Sequence, residues 1–320
     1  MARCHYLVSD GRFCHEEAGD GGLCRWHDPD GDHQSEGTTK ALEAFVRGGG
    51  LCHGLQLAKA DLAGLNLVHP DPTQGFVLEK CDFYRANLHG AHLYHLQMKG
   101  GSLMKADLTD ANLHCARLDA VNLLGIRWKG ARIDGLDTGA TVLQEQRGRK
   151  ERDPALATLL FKEAEETYRD LRKASEYQGI FTLSGHYIKK ELTMRRLQMP
   201  RWSLRRFFSW MVDLFCGYGE EPLRVVIFSL IMIACCAILY FFFGLNFGGE
   251  SLVYRPGASW QENGLFLLEC FYYSVVTFTT LGYGDFTPIG LSRLFAAVEA
   301  FTGSFTLALF VVVFVKKMTR

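Results

Sequence analysis

From Leu55 to Ile133 large apolar residues return every five positions, a spacing that neither an α-helix nor a β-strand produces. Leu57, Leu62 and Leu67 open the series. After the interruption HPDPTQG the centres resume at Leu78, Phe83, Leu88, Leu93, Met98, Leu103, Leu108, Leu113, Leu118, Leu123, Trp128 and Ile133. Two positions before most of them stands a small residue: Ala86, Ala91, Ala106, Ala111, Ala116 and Ala131. The unit, as in KADLTDANLHCARL, is A-(D/N)-L-x-x. A chain that turns a corner every five residues meets this pattern, with large centres filling a narrow axis and small residues fitting beside them.

These repeats resemble the pentapeptide-repeat family. The resemblance implies a right-handed quadrilateral β-helix over 55–136, with about four repeats to a coil and a quasi-linear stack. Such a rod either senses a cytoplasmic ligand or protein or serves as a spacer that organises subunits. Soluble members that mimic DNA present an acidic surface, whereas here Asp61, Asp107 and Asp110 alternate with Lys59, Arg85, Lys99 and Arg117. His89, His92 and His95 fall on successive sides and are expected to be surface residues rather than a metal site.

Beyond the repeats the chemistry changes. The chain has 320 residues and no formal net charge, so it offers no global electrostatic attraction for nucleic acid. Its 48% hydrophobic content averages a polar stretch before residue 200 with an apolar one over 223–315. Val225–Phe247 carries no charge and Leu294–Val315 carries only Glu299. Each meets the roughly 20 residues needed to cross a bilayer. Arg201, Arg205, Arg206 and Arg224 precede the first span, and Lys316, Lys317 and Arg320 follow the second; the intervening Gly248–Gly264 has only Arg255. This bias places both termini in the cytoplasm of a multi-pass protein of the cell (inner) membrane. MARCHYLVSD lacks the apolar core of a signal peptide. The ten cysteines then meet reducing or membrane surroundings, and none is read as a disulfide.

Cys4, Cys14, Cys24 and His27 are spaced C-x9-C-x9-C-x2-H. Three thiolates and an imidazole suit a closed structural Zn²⁺ site, and a segment this short and polar needs such a staple. His5 or His15 could replace His27. The arrangement resembles small Cys3His zinc motifs at the ends of bacterial chains. The following DPDGDH has the wrong spacing for a calcium loop and reads as a solvated linker.

Helical spacing appears over 153–198, where Leu160, Ala164, Tyr168 and Leu171 make a stripe and Pro154 suits a start. Gly179 and Gly185 flank a break, giving an αα-hairpin. In RWSLRRFFSWMVDLF, Trp202, Phe207, Phe208, Trp210 and Met211 mix with arginines, as in a helix lying in the headgroup layer; a packed soluble helix is the alternative.

Leu265–Phe278 is apolar but too short to cross, so it is expected to re-enter as a half-helix with its negative end at the membrane centre. TTLGYGD follows, and Gly282 and Gly284 permit alternating backbone twists that turn successive carbonyls to one axis. This stretch is similar to the potassium-channel signature T-V-G-Y-G-D, with Leu281 in the valine position. The order span, half-helix, filter, span over 223–317 resembles two-span potassium channels of the inward-rectifier and bacterial kind. The resemblance implies a homotetramer in which carbonyls of Thr280, Leu281, Gly282 and Tyr283 and the Thr280 hydroxyl coordinate K⁺. Tyr283 is then expected to pack on the half-helix, and Gly284 and Asp285 to form the outer mouth. Val275 and Val276 stand where some members place a carboxylate. Glu299 should face protein or the pore. Glu269 is expected near the half-helix start, and Cys235, Cys236 and Cys270 as small apolar fillers.

Gly303 marks a mid-span hinge or a packing contact, and Phe310, Val311 and Phe314 are candidates for a hydrophobic gate. No arginine-repeat voltage sensor precedes the pore, and the chain stops soon after Val315, so regulation is expected from the amino-terminal side. The expected chain is a multidomain membrane protein. Its divisions are a zinc motif (1–33), linker (34–54), repeat β-helix (55–136), hairpin (153–198), interfacial helix (201–217), first span (223–247), pore helix and filter (264–288) and second span (289–317). The remaining alternatives are a non-selective cation channel and a membrane-tethered scaffold with a silent pore. No nucleophile–base pair suggests an enzyme.

Overall fold

The computed structural model describes residues 3–318. Arg320, counted in the charge bias above, lies outside them. The chain divides into two compact units, one ending at Arg206 and the other beginning at Phe207.

In the first unit α1 (Thr38–Arg47) precedes the repeats. It falls within the stretch expected to be linker, and Leu42, Phe45 and Val46 bury its apolar face. His33, in the segment read as solvated, is buried too and stacks on Trp26 at 5.9 Å. The repeats stack as parallel rungs, with β1 (Val77–Glu79), β2 (Gln97–Lys99) and β3 (Arg117–Asp119) in one sheet at an offset of 20 residues. The earliest rung is longer: Asp61 pairs with Asn87, an offset of 26, and the excess is the interruption at HPDPTQG.

Left-handed backbone marks each corner. From Lys80 to Gly135 every fifth residue has φ between 53° and 71°, the non-glycine ones being Lys80, Arg85, His95, Lys105, Asp110, Cys115 and Ala120. Each such residue costs roughly 1–2 kcal/mol in strain. Rung-to-rung bonds such as Leu62 N–H to Asn87 O (2.8 Å) and Leu88 N–H to Asp107 O (2.8 Å) hold the turns in place. The five-residue centres are all buried, and Ala60, Ala86, Ala91, Ala106, Ala111, Ala116 and Ala131 are at most 1% exposed.

After the rungs come α2 (Leu143–Lys150), α3 (Pro154–Tyr177) and α4 (Phe181–Leu197). Asp153 caps α3 by accepting from Ala155 N–H, with Pro154 in its first turn. α3 and α4 form the hairpin, and Ala164, Tyr168 and Leu171 of the expected stripe are buried. Gly179, at φ 71°, makes the break. Gly185 does not: it is buried inside α4. α2 has no apolar period, and a buried carboxylate organises it. Glu145 accepts from Tyr168 Oη at 2.5 Å and from Arg149 Nε and Nη2 at 2.9 and 2.7 Å.

α5 (Leu204–Cys216) leaves Leu204, Phe207, Phe208 and Trp210 about half exposed or more. A 3₁₀ turn, Gly217–Gly219, leads to α6 (Pro222–Phe243), which ends at Gly244 rather than running to Phe247. The residues beyond form a three-stranded antiparallel sheet of β4 (Leu245–Phe247), β5 (Glu250–Leu252) and, from after the glycine-rich stretch, β6 (Phe286–Pro288). α7 (Trp260–Phe278) lies between β5 and β6, and α8 (Ser292–Met318) follows. α6, α7 and α8 pack pairwise. α6 and α8 are long and apolar enough to cross a membrane, with mean hydropathies of 2.8 and 2.1.

Candidate functional site

α7 begins five residues earlier than its apolar run. Ser259 caps it by accepting from Glu262 N–H, while the Glu262 carboxylate accepts from Ser259 N–H. This capping box was legible in SWQE, but a reading of apolar content alone passes over it. One consequence is that Glu269 sits mid-helix and exposed, where the helix dipole gives it no help.

At the other end of α7 the chain leaves the helical state. Thr280 N–H still reaches Thr277 O (3.0 Å) and Leu281 N–H reaches Val276 O (3.0 Å). Thr280, Gly282 and Gly284 then take φ of 57°, 57° and 81°, with Leu281 and Tyr283 between them on the ordinary side. The twists alternate as the glycines permit, and Thr280 joins them without being glycine. Among the described residues no protein donor bonds to the carbonyls of Thr280, Leu281, Gly282 or Tyr283. The Thr280 hydroxyl donates to Thr279 O at 2.7 Å. Tyr283 is 67% exposed, and Asp285 is exposed as well. Phe286 is buried, its ring stacked on Phe247 at 4.8 Å, which ties the exit of the stretch to the sheet.

Glu299 of α8 stands behind this stretch, fully buried. It accepts from Tyr240 Oη of α6 at 2.5 Å and pairs with Ser274 Oγ of α7. One carboxylate therefore joins all three helices. Val275 and Val276 do not supply such a group, and α8 does. No local pattern reveals this, because the partners are 59 and 25 residues away.

Gly303 lies on α8 against the end of α7, where an added Cβ would come 2.1 Å from Phe278 O. Close packing alone requires glycine here, and α8 runs unbroken through it. Phe310 and Phe314 stack at 5.6 Å. Phe310 also packs on the small cluster of Cys216, Val225 and Val313. Below them Lys316 Nζ reaches Glu220 at 2.6 Å, joining the end of α8 to the turn before α6. Cys236 and Cys270 are buried fillers, whereas Cys235 is exposed.

In the first unit Cys4, Cys14, Cys24 and His27 are buried with their donor atoms within 4.8 Å of one another. His5 and His15 are not members. Cys14 and Cys24 Sγ are 3.7 Å apart, and Cys24 Sγ is 3.1 Å from His27 Nδ1. The edge of a tetrahedron of thiolates around zinc is about 3.8 Å. His27 Nε2 is within 3.0 Å of His53 O, which leaves Nδ1 for the thiols. Tyr6 stacks on the imidazole at 4.0 Å and bonds to His53 Nδ1 at 2.8 Å. Burial pushes the Cys24 thiol up to about 12 and raises Cys14, while it lowers His27. Neutral imidazole is the ligand form, and a divalent cation would reverse the thiol shifts. The donor set fits zinc, which would supply a closed cross-link rather than reactivity.

Residues 227–320 match the family model described as ion channel. Residues 86–125 match pentapeptide repeats in eight copies. Among solved structures the chain is similar to HetL, a pentapeptide repeat protein involved in heterocyst differentiation regulation from Nostoc sp. strain PCC 7120. The identity is 25%, covering 25% of this chain and 46% of that one, with a TM-score of 0.18. It is also similar to a pentapeptide repeat protein from the cyanobacterium Cyanothece 51142, at 18% identity over 26% of this chain and 86% of that one, TM-score 0.10. The chain thus spans less than half of HetL. No curated protein matches it. The protein joins pentapeptide repeats to an ion-channel domain whose two long apolar helices mark it as a membrane protein.

Proposed function

We propose that the protein is a homotetrameric, potassium-selective channel of the cell (inner) membrane. The observation that carries this reading is the Thr280–Gly284 backbone, whose alternating twist leaves four successive carbonyls without protein donors. Four such strands around an axis would replace the hydration shell of K⁺ with oxygens of Thr280, Leu281, Gly282 and Tyr283. The exposed Tyr283 and the apolar outer faces of α7 and α8 are then surfaces for neighbouring subunits and lipid. Glu299 braces the half-helix against both spans, and α5 lies in the headgroup layer.

Both termini are cytoplasmic in this reading. The rungs form a right-handed four-sided β-helix that organises or gates the pore, and Zn²⁺ on Cys4, Cys14, Cys24 and His27 fastens the start of the chain. Purified protein in liposomes tests conduction, and bi-ionic reversal potentials test selectivity. A reversal potential near zero with equal K⁺ and Na⁺ on opposite sides would replace the selective pore with a general cation pore. No flux at all would leave a tethered scaffold.

A further inference from the structure

The left-handed corners of the rungs fall in columns, because each corner residue lies over its equivalent in the next rung. In one column the occupants are Lys59, Arg85 and Lys105, followed by Gly125. Adjacent rungs are about 4.8 Å apart. Three cations thus stand in a row at strand spacing, where they repel one another, and among the described residues no carboxylate lies within ion-pair distance of any of them. The other corner columns do not repeat this: Lys80 is followed by Gly100 and Ala120, Gly90 by Asp110 and Gly130, and His95 by Cys115 and Gly135.

A cleft of about 600 Å³ runs along this column, lined by Arg85, Asn87, Lys105, Asp107, Gly125 and Arg127. Its single carboxylate, Asp107, pairs with Arg127 at 3.2 Å, so the cleft keeps two uncompensated cations. Asn87 is turned to Asp61, to which its amide donates at 2.7 Å. The backbone adds one more donor. Arg85 N–H bonds to Met104 O and Lys105 N–H to Leu124 O, each at 2.9 Å, but Gly125 is the last of the column and its N–H meets no acceptor among the described residues.

We propose that this corner column binds anions that carry clustered phosphate groups. A single carboxylate would engage one rung. A ligand with two or three phosphates in line would answer the row, its terminal phosphate bringing about −1.5 to −2 charges and each inner one about −1. The guanidinium fork of Arg85 suits phosphate oxygens and Lys105 adds a point charge beside it, while Arg127 stays engaged with Asp107. The source is a soluble polyphosphate, such as a nucleotide, or a phosphoinositide headgroup. The inference goes beyond ion conduction and does not depend on it.

The test is calorimetric titration of the full-length protein with inorganic pyrophosphate and with ATP, and in parallel cosedimentation with phosphatidylcholine vesicles with and without phosphoinositide. Saturable binding in the soluble arm or in the phosphoinositide arm is expected, weakening as salt rises. The R85Q/K105Q double variant should lose at least about tenfold in affinity. Lys99→Gln, outside the column, should leave it unchanged, and the melting temperature of each variant checks that the rungs are intact. Absence of saturable binding in every arm would overturn the proposal. So would binding that R85Q/K105Q leaves intact while both variants melt like the parent.

Discussion

The Tyr240 hydroxyl donates to the Glu299 carboxylate at 2.5 Å, and neither side chain has measurable exposure. Ser274 completes the set, its hydroxyl shared between this acid and the Ile233 carbonyl at 2.9 Å. E299Q keeps an oxygen for Tyr240 and an amide beside Ser274, so the assembly should retain nearly its parent thermal stability. E299L orphans the Tyr240 hydroxyl, at about 1–3 kcal/mol, while Ser274 keeps the Ile233 carbonyl at 2.9 Å. Melting of the detergent-solubilised oligomer, followed by size-exclusion fluorescence, should fall markedly for E299L alone.

Gly284 holds φ at 81°, so an added Cβ is strained whatever space surrounds it. G284A should cost about 1–2 kcal/mol in each chain. In liposomes K⁺ current should drop steeply or lose its preference over Na⁺. Leu281→Val, on the ordinary side of the alternation, should keep the parent's reversal potential.

Elemental analysis should find one zinc per chain, and Cys14→Ser should abolish it. Acid should release the metal, because the ligands must shed protons to bind. The metal-free fold has its own sign. Burial holds His27 below its ordinary 6.5, so the unfolded imidazole takes up a proton first as pH falls. Stability of the chelated amino-terminal region should therefore decline on acidification through that value. Proteolysis of residues before the repeats, run at pH 7.5 and 5.5, reads it directly.

Glu145 is fully buried between Tyr168 and Arg149, with Lys190 at 3.5 Å. Glu145→Ala strands the Tyr168 hydroxyl, while the half-exposed Arg149 turns to water and Lys190 keeps Ala140 O, a loss of about 1–3 kcal/mol. Hydrogen exchange should show α2 opening early in that variant, with the central rungs as protected as in the parent.

Lys316 and Glu220 form a half-screened pair whose acid is nearly buried. Lys316→Gln should free the end of α8 and raise open probability several-fold, in keeping with about 1 kcal/mol for such a pair. The exchanged double variant, E220K with K316E, should return it toward the parent in single-channel records.

The rungs were legible because a five-residue period has few physical explanations, and every expected centre is indeed buried. The glycines of TLGYGD were legible for a similar reason, since only special backbone needs them in an apolar setting. What escaped was decided by contacts distant in sequence. α1 is short and lies in a glycine-flanked stretch, and its buried face makes sense only once the repeats are beside it. β4 and β5 are three residues each and take their strand character from pairing with β6. The first span was drawn too long because Leu245 and Phe247 are as apolar as the helix before them, and Gly244 is what ends it. Glu299 could be identified as costly from sequence, but its partners could not.

The end turns of the repeat segment also rest on α1 and on the helices that follow, but a central twenty-residue turn stacks between two others, so central turns can be duplicated or deleted without re-engineering either terminus. The segment is in effect a ruler graduated in steps of about 4.8 Å. Homologues and designed variants could set reach by counting graduations while leaving the conducting machinery untouched.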